Sequence, residues 1–556
     1  MLIRSKENTV HVTFANGKEG QFIRGTTLLE MLEYNRPENM EDIRLANVNR
    51  RPQNLLLPVD QDCIIEWLSE TTIEAKRANQ QTLCLVLIRA VSELYPNEKL
   101  LIDHSLGKGL FCQLKNNKPL RKQMVKKIKK RMLELIEIDT AIIPTTLPRQ
   151  QALDYMEQKG ESPLWLEGNR ELCDLTLYQY GTHLEYLGSP LFHTSKLLSQ
   201  FDLVYWKPGF VLVVPEDGEP LSSAKAIRQS RLFKVFHEYG HWEDILGASK
   251  VADINKAVQD GRIYDLVKIA EGLHEKKIAS IADVIEAKRK HLRIVLIAGP
   301  SSSGKTTFAK RLNIQLRVNG LRPLSLSLDD YFLDRDETPK DKDGNYDFES
   351  IRAIDIPRFT RDLEQLLSGQ EIRLPVFDFK EGRKVPGALV HLEPHQPILI
   401  EGLHCLNDQL TAAFSKRSKL KLYVSALTQL NITDHLRVPT SDVRLLRRLV
   451  RDNNFRGYTA EHTLKQWSLV RKGEEVHIFP FQENADIIFN TSLMYELCVL
   501  QKFARPLLEG VPPEHPLYSE ARRLLELHLN FMSIPQHVVP NNSLLREFIG
   551  GSSFSY

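Results

Sequence analysis

Six cysteines in 556 residues (Cys63, Cys84, Cys112, Cys173, Cys405 and Cys498) stand far apart, with no C-x-x-C among them. That spacing excludes a zinc ribbon and offers no disulfide framework, so reduced thiols are expected. No run of about 18 apolar residues occurs, which leaves no candidate membrane-spanning helix. The opening "MLIRSKENTVHV" lacks the apolar core of a signal peptide. A cytoplasmic location without a membrane partner is the expectation. Charge of one sign is missing too: 74 Lys and Arg against 71 Asp and Glu leave a formal net charge of +3. That balance gives the whole chain no polyanion-binding signature. The length suggests roughly three to four domains.

What is present is concentrated in "AGPSSSGKTTFAKRL", residues 298–312, where Gly299, Gly304, Lys305 and Thr306 fit G-x-x-x-x-G-K-[ST]. The preceding "RIVLIA" is short, apolar and β-branched, as a buried parallel strand should be. The residues after it put Phe308, Leu312, Ile314 and Leu316 at roughly helical spacing, with a stop at Gly320. A merely flexible Gly/Ser turn would need neither flank. A strand, loop and helix in this order aim backbone N–H groups and the positive helix end at phosphates. Residues Gly299, Pro300, Ser301, Ser302, Ser303, Gly304, Lys305, Thr306 and Thr307 are therefore expected to cradle ATP. Lys305 would bridge the β- and γ-phosphates, and the Thr306 hydroxyl would ligate Mg²⁺.

The segments after this loop carry the remaining candidate chemistry. "PLSLSLDDYF" reads as a neighbouring strand ending in Asp329 and Asp330, so an acid at the same sheet edge can lie near the γ-phosphate. A small-molecule kinase needs a carboxylate to take the acceptor proton, and Asp329 offers one. "QPILIEGLHCLND" supplies another apolar strand, ending in Glu401, a Walker-B-like acid for Mg²⁺. In "TSDVRLLRRLVRDNNFRG" the spacing of Arg444, Arg447, Arg448 and Arg451 puts four guanidinium groups on one helix face, with Arg456 at the exit. Such a face can close over phosphates as a lid, and surface salt bridges would want more interleaved acids than Asp442 and Asp452.

Residues 290–495 resemble the uridine–cytidine kinase and phosphoribulokinase family. The resemblance rests on the P-loop, the Asp329-Asp330-Tyr331-Phe332 step, Tyr346-Asp347, "LPVFDFKEGRKV" with Phe377, Asp378 and Arg383, and the arginine-rich segment. It implies Asp329 as general base, with Lys305, Arg447 and Arg451 in catalysis. It also implies Asp347 on the sugar hydroxyls, Tyr331 and Phe377 in the acceptor pocket, and Arg444, Arg448 and Arg456 as further clamps. One departure stands out: uridine kinases read the base with a tyrosine where Phe377 stands and a histidine shortly after, and "KEGR" holds none.

Residues 1–66 read as hairpin, Thr-capped helix and closing strands, with "NG" at 16–17 as the turn. They resemble the ubiquitin-like TGS domain at the front of threonyl-tRNA synthetases. Residues 67–215 resemble the second additional domain of those synthetases. The H-x-x-x-H pair of that family aligns with Leu85 and Arg89, and its later Cys and His with Tyr186 and Pro190, so the fold is expected without the editing activity. Lys126, Lys127, Lys129, Lys130 and Arg131 form either an RNA-facing patch or the solvated face of an amphipathic helix. "PEDGEPLSSAK" opens an expected helical linker, 216–288, which contains "HEYGH" at 237–241. That pattern matches zinc peptidases, but Gly240 and the lack of a third histidine favour a chance helical His pair.

The expected architecture is thus α/β: a P-loop kinase with a parallel sheet and flanking helices over 289–500, and a C-terminal helical tail over 501–556. A β-grasp domain and an α+β domain precede it. The arrangement and the tail "NNSLLREFIGGSSFSY" resemble a group of bacterial nucleoside kinases. The expected reaction is phosphorylation of a nucleoside 5′-hydroxyl by ATP and Mg²⁺. Kinase action on another small polyol or sugar phosphate and a nucleotide-dependent RNA-binding regulator stay open beside it, as does a homo-oligomer.

Overall fold

The computed structural model describes residues 9–115, 119–215, 220–224, 229–340, 344, 346–347, 349–378 and 381–555. The composition that marks the start of the expected linker, 216–219, lies outside the described residues, as do the first eight residues of the expected 1–66 module.

The alternation of "TVHVTF" buries Val10, Val12 and Phe14 on one face of the strand Thr9–Phe14. That strand turns at Gly17 (φ 82°) into Glu19–Ile23 and pairs in parallel with Cys63–Ser69. Thr27 caps the helix Leu28–Asn35: its hydroxyl takes the Glu30 N–H at 3.3 Å while Glu30 takes the Thr27 N–H at 2.8 Å. The result is a β-grasp module with its own core around Phe14, Leu28 and Ile65.

The next unit packs the helices Ile73–Leu94 and Lys122–Ile138 onto a four-stranded sheet ordered Asp202–Trp206, Gly209–Val213, Gly109–Lys115, Lys99–Leu106. A three-stranded sheet, Ile142–Pro148, Asp174–Tyr180 and His183–Glu185, lies beside it. Leu85 is a core residue, Arg89 pairs with Glu93 at 2.9 Å over the Tyr180 ring, and Tyr186 stacks on Trp165 at 5.1 Å. The basic helix buries Val125, Ile128, Met132 and Leu135, while Lys129 pairs with Asp202 (2.8 Å) and Arg131 with Glu93 (2.7 Å).

Residues 230–287 form the helices Ser230–Leu246, Val251–Gln259 and Ile263–Ala287. Far from tethering two halves, this segment shares one core with the P-loop unit: Ile278, Ile281 and Ile285 pack in the same cluster as Val295, Phe308 and Leu545. Arg311 of the P-loop helix reaches back to Glu275 at 2.7 Å and Glu271 at 3.4 Å. His237 and His241 lie exposed on a helix that continues through Gly240, where the Gln429 side chain sits 3.4 Å from the place of a Cβ. Among the described residues no group of His, Cys, Asp and Glu is arranged to hold a metal, and no helix is long and apolar enough to cross a membrane.

The sheet that carries the P-loop strand is all parallel, ordered Leu324–Ser327, Ile398–Glu401, Ile294–Ala298, Lys419–Ser425, Ile487–Asn490. Its P-loop strand, Ile294–Ala298, is apolar throughout and fully buried, as a strand covered on both faces should be. Parallel strands share one C-terminal edge, so the ends at Ala298, Ser327 and Glu401 gather side by side.

The front half is bonded to this unit. Ile102 N–H donates to the Asp434 carbonyl and Asn431 Nδ2 donates to the Ile102 carbonyl, each at 2.9 Å. Asn431 is buried, so Asn431→Ala strands the Ile102 carbonyl away from water. We expect that change to lower the urea-denaturation midpoint by the equivalent of about 1–3 kcal/mol. A midpoint equal to that of the unaltered protein would mean that the two halves are not coupled through this loop.

Candidate active site

Gly299 follows the buried P-loop strand where no side chain fits: a Cβ there would stand 2.0 Å from the Val424 carbonyl oxygen. Two further residues, Ser302 (φ 56°) and Gly304 (φ 83°), adopt left-handed backbone and curl the loop into a nest of N–H groups. For Ser302 that conformation costs on the order of 1 kcal/mol, so the loop must be held from behind. Arg447 Nη1 donates to the Ser302 carbonyl at 3.4 Å and the Thr491 hydroxyl donates to the Ser303 carbonyl at 2.7 Å. Arg448 Nη1 donates to Ser301 Oγ at 2.8 Å, and the Ser301 N–H donates to Glu474 at 2.9 Å.

In front of the loop lies a cleft whose lining includes Lys305, Thr306, Asp329, Glu401, Arg451 and Arg456. The Thr306 hydroxyl donates to both Glu401 oxygens, at 3.1 and 3.2 Å. Burial raises the Glu401 carboxyl above its ordinary range, against the lowering effect of Lys305 and Thr306. Hard oxygen donors on adjacent strand and helix ends suit Mg²⁺. Asp329 is raised in the same way, by burial and by Asp330, with Lys305 and Arg456 opposing.

Asp329 and Asp330 do not end an extended strand. They sit in a single 3₁₀ turn, Leu328–Tyr331, which still separates them: Asp329 lines the cleft, while Asp330 accepts the Phe377 N–H at 3.2 Å. Tyr331 is turned inward, its phenol donating to Asp362 at 3.2 Å and its ring against Phe359. Phe377 packs edge-on to Phe332 at 5.7 Å. Asp347 is half-buried beside His477, outside the cleft lining.

The arginine helix, Thr440–Arg456, departs most from expectation. It is packed into the core instead of lying over the cleft as a free cationic face. Arg444 is buried against Glu474 and the Trp467 ring, and Arg447 against Glu496 at 2.6 Å. Arg448, Arg451 and Arg456 all pair with Asp452, at 3.2, 2.9 and 3.4 Å. The acids that neutralise the inward pair come from other helices, which spacing within the segment does not reveal.

Glu349, Glu474 and Glu547 line the cleft and escape sequence reasoning. Glu349 is two residues past Asp347, and its carboxyl is pushed up to about 7 by burial and by Glu474. His404, one residue past the cleft-lining Leu403, faces His477 with ring centroids 5.9 Å apart. Glu474 and Glu547 are brought in by tertiary packing alone.

A parallel sheet of this order with a P-loop, a strand-end acid at Thr306 and a carboxylate in the turn after the edge strand defines a P-loop kinase. Comparison with known proteins agrees. The model of the phosphoribulokinase / uridine kinase family matches residues 294–494. Over 201 residues the chain is 31% identical to the uridine kinase of Deinococcus deserti, covering 36% of this chain and 88% of that one. The chain belongs to the phosphoribulokinase and uridine kinase family, whose kinase activity implies ATP use.

The N-terminal part is similar to the threonine–tRNA ligase of Acetivibrio thermocellus, 26% identical over 207 residues, or 36% of this chain. The chain spans about a third of that ligase's length, 32%. The structure of a possible uridine kinase from Bacillus stearothermophilus aligns with 39% of this chain and 98% of its own, at 21% identity and a TM-score of 0.27.

The two classes of arginine make different demands. Arg447→Ala leaves the Glu496 carboxylate uncompensated in the core, which should cost about 3–5 kcal/mol. Arg451→Ala leaves Asp452 with two partners and should cost under about 1 kcal/mol. Thermal unfolding of both variants checks this, and equal shifts would contradict the buried-brace reading of Arg447.

Proposed function

We propose that the chain transfers the γ-phosphoryl group of ATP to the 5′-hydroxyl of a nucleoside of the uridine or cytidine kind. The observation that carries this is the Asp329 carboxylate in the same cleft as Lys305 and the Thr306–Glu401 pair. The acceptor hydroxyl gives its proton to Asp329 as its oxygen bonds to the γ-phosphorus, and the bond to the β–γ bridging oxygen breaks, releasing ADP. Lys305, Arg451 and Arg456 balance charge on the phosphate oxygens. Thr306 and Glu401 would hold Mg²⁺, which when bound neutralises charge on the same oxygens.

A second acceptor class, another small polyol or sugar phosphate, draws support from Phe377. It is buried against Phe332 and offers no hydrogen-bonding edge to a base. A panel of nucleosides, ribose and sugar phosphates with labelled ATP, read by product chromatography, separates the two. Saturation by ribose-like acceptors irrespective of base would favour the second, and no phosphorylated product from any acceptor would sink both.

Lys305→Ala should remove most turnover with the fold retained. Asp329→Asn keeps size but cannot take a proton, so kcat should fall on the order of 10²–10⁴-fold, while Asp330→Asn, still able to accept the Phe377 N–H, should cost far less. Reversed losses would make Asp330 the base.

The pH dependence follows from the raised Asp329 carboxyl. The base works only when ionised, so activity falls as pH drops through a value above its ordinary 3.8. Glu349, near 7, also titrates in the cleft. The acid limb of kcat/KM that persists in Glu349→Gln should therefore belong to Asp329. A limb that disappears with Glu349 would assign it there instead.

A further inference from the structure

The last turns of the chain reach the P-loop from outside the family region 294–494. Glu547 accepts the Thr307 hydroxyl at 2.6 Å and the Thr307 N–H at 3.3 Å. Thr307 is the third residue of the helix Lys305–Val318, so its N–H is one of the donors that a helix N-terminus leaves open. Around this contact the segment is anchored firmly. Leu544 lies 2.3 Å from where a Cβ on Gly304 would stand, and Phe548 covers the Arg447 guanidinium at 5.2 Å. Asn454 Nδ2 donates to the Phe548 carbonyl at 3.1 Å, and Lys310 reaches the Ser555 carbonyl.

The donors at this helix end are those that phosphates use in a P-loop. A carboxylate offers the same acceptor oxygens and the same sign of charge. Its charge is felt across the cleft, since Glu547 is among the groups that raise the Glu401 carboxyl. We propose that Glu547 competes with the nucleotide phosphates for the N-terminus of the P-loop helix, so that the C-terminal segment sets how tightly nucleotide binds. This rests on the nucleotide reading above.

A phosphate arriving at Thr307 must either displace the carboxylate or lie beside it against repulsion. Leu544, Leu545 and Phe548 are fully buried, so the backbone of the segment stays in place and only the Glu547 side chain needs to turn. The tail thereby tunes the site without unfolding.

The test is a direct binding titration of ATP and ADP, at fixed Mg²⁺ and salt, with the full-length protein and its Glu547→Gln, Glu547→Ala and Lys305→Ala forms. Gln can still accept from Thr307 but carries no charge. Glu547→Gln should bind both nucleotides tighter by on the order of tenfold, and the gap should shrink as salt screens the charge. Glu547→Ala should also bind tighter, which separates repulsion from any loss of the cap. Unchanged or weaker binding by Glu547→Gln, with the unaltered protein binding and Lys305→Ala not, would overturn the proposal and leave the nucleotide reading intact. Failure of every form to bind nucleotide would remove both.

Discussion

A P-loop can show its N–H groups to a ligand only if its carbonyls, turned the other way, find donors behind it. Here that requirement is met by Arg447 and Thr491, which hold the Ser302 and Ser303 carbonyls. Arg447 can serve in a dry interior because Glu496 neutralises it at 2.6 Å and the Thr491 carbonyl takes another of its N–H groups at 2.8 Å. The left-handed backbone at Ser302 persists on that support. The helix that supplies Arg447 is therefore committed to the core, and its outward arginines alone remain for the cleft.

The same helix ties the site to the rest of the chain. Asp442, in its first turn, takes both Nη atoms of Arg523, at 2.6 and 3.1 Å. Arg523 also pairs with Glu520, which takes the bidentate guanidinium of Arg77 from the synthetase-like unit at 2.6 and 3.0 Å. Against the cost of burial, Arg523 and Arg77 hold the Glu520 carboxyl well below the usual carboxylate range. A charge relay thus runs from the front unit to the brace behind the P-loop. Together with the Asn431 contacts it makes the front half a packed part of the kinase, not a module on a string.

Legibility in the sequence followed the range of the interactions. The P-loop, the β-grasp hairpin and the strand ending in Glu401 were readable because each is specified within about ten neighbouring residues. Asp329 was expected at the end of a strand beside the P-loop strand; Leu324–Ser327 instead pairs with Ile398–Glu401, one strand further out, and Asp329 reaches the cleft from the 3₁₀ turn that follows it. The arginine helix was misjudged because helical spacing reports which residues share a face and not what that face meets. Its partners, Glu474 and Glu496, lie 30 and 49 residues downstream. Tyr331, which the resemblance puts in the acceptor pocket, is turned inward for the same reason: its phenol donates to Asp362, 31 residues downstream. Glu547, 240 residues from Thr307, had no local signal at all.

The charge of the cleft shows why these long-range residues matter for the proposed reaction. Asp329, Glu349, Glu401, Glu474 and Glu547 line it against Lys305, Arg451 and Arg456. Glu474 is neutralised by Arg444 and Arg471, but Arg451 and Arg456 are shared with Asp452. Cations in the cleft are therefore outnumbered before any phosphate arrives. A bare triphosphate would meet net repulsion, whereas a triphosphate bringing a divalent cation to Thr306 and Glu401 would not. Metal and nucleotide should accordingly bind as coupled ligands in the proposed reaction. Burial raises the carboxyls of Glu349, Glu401 and Asp329 first of all, and of the three only Glu349 has a neighbouring carboxylate, Glu474, as its next largest cause.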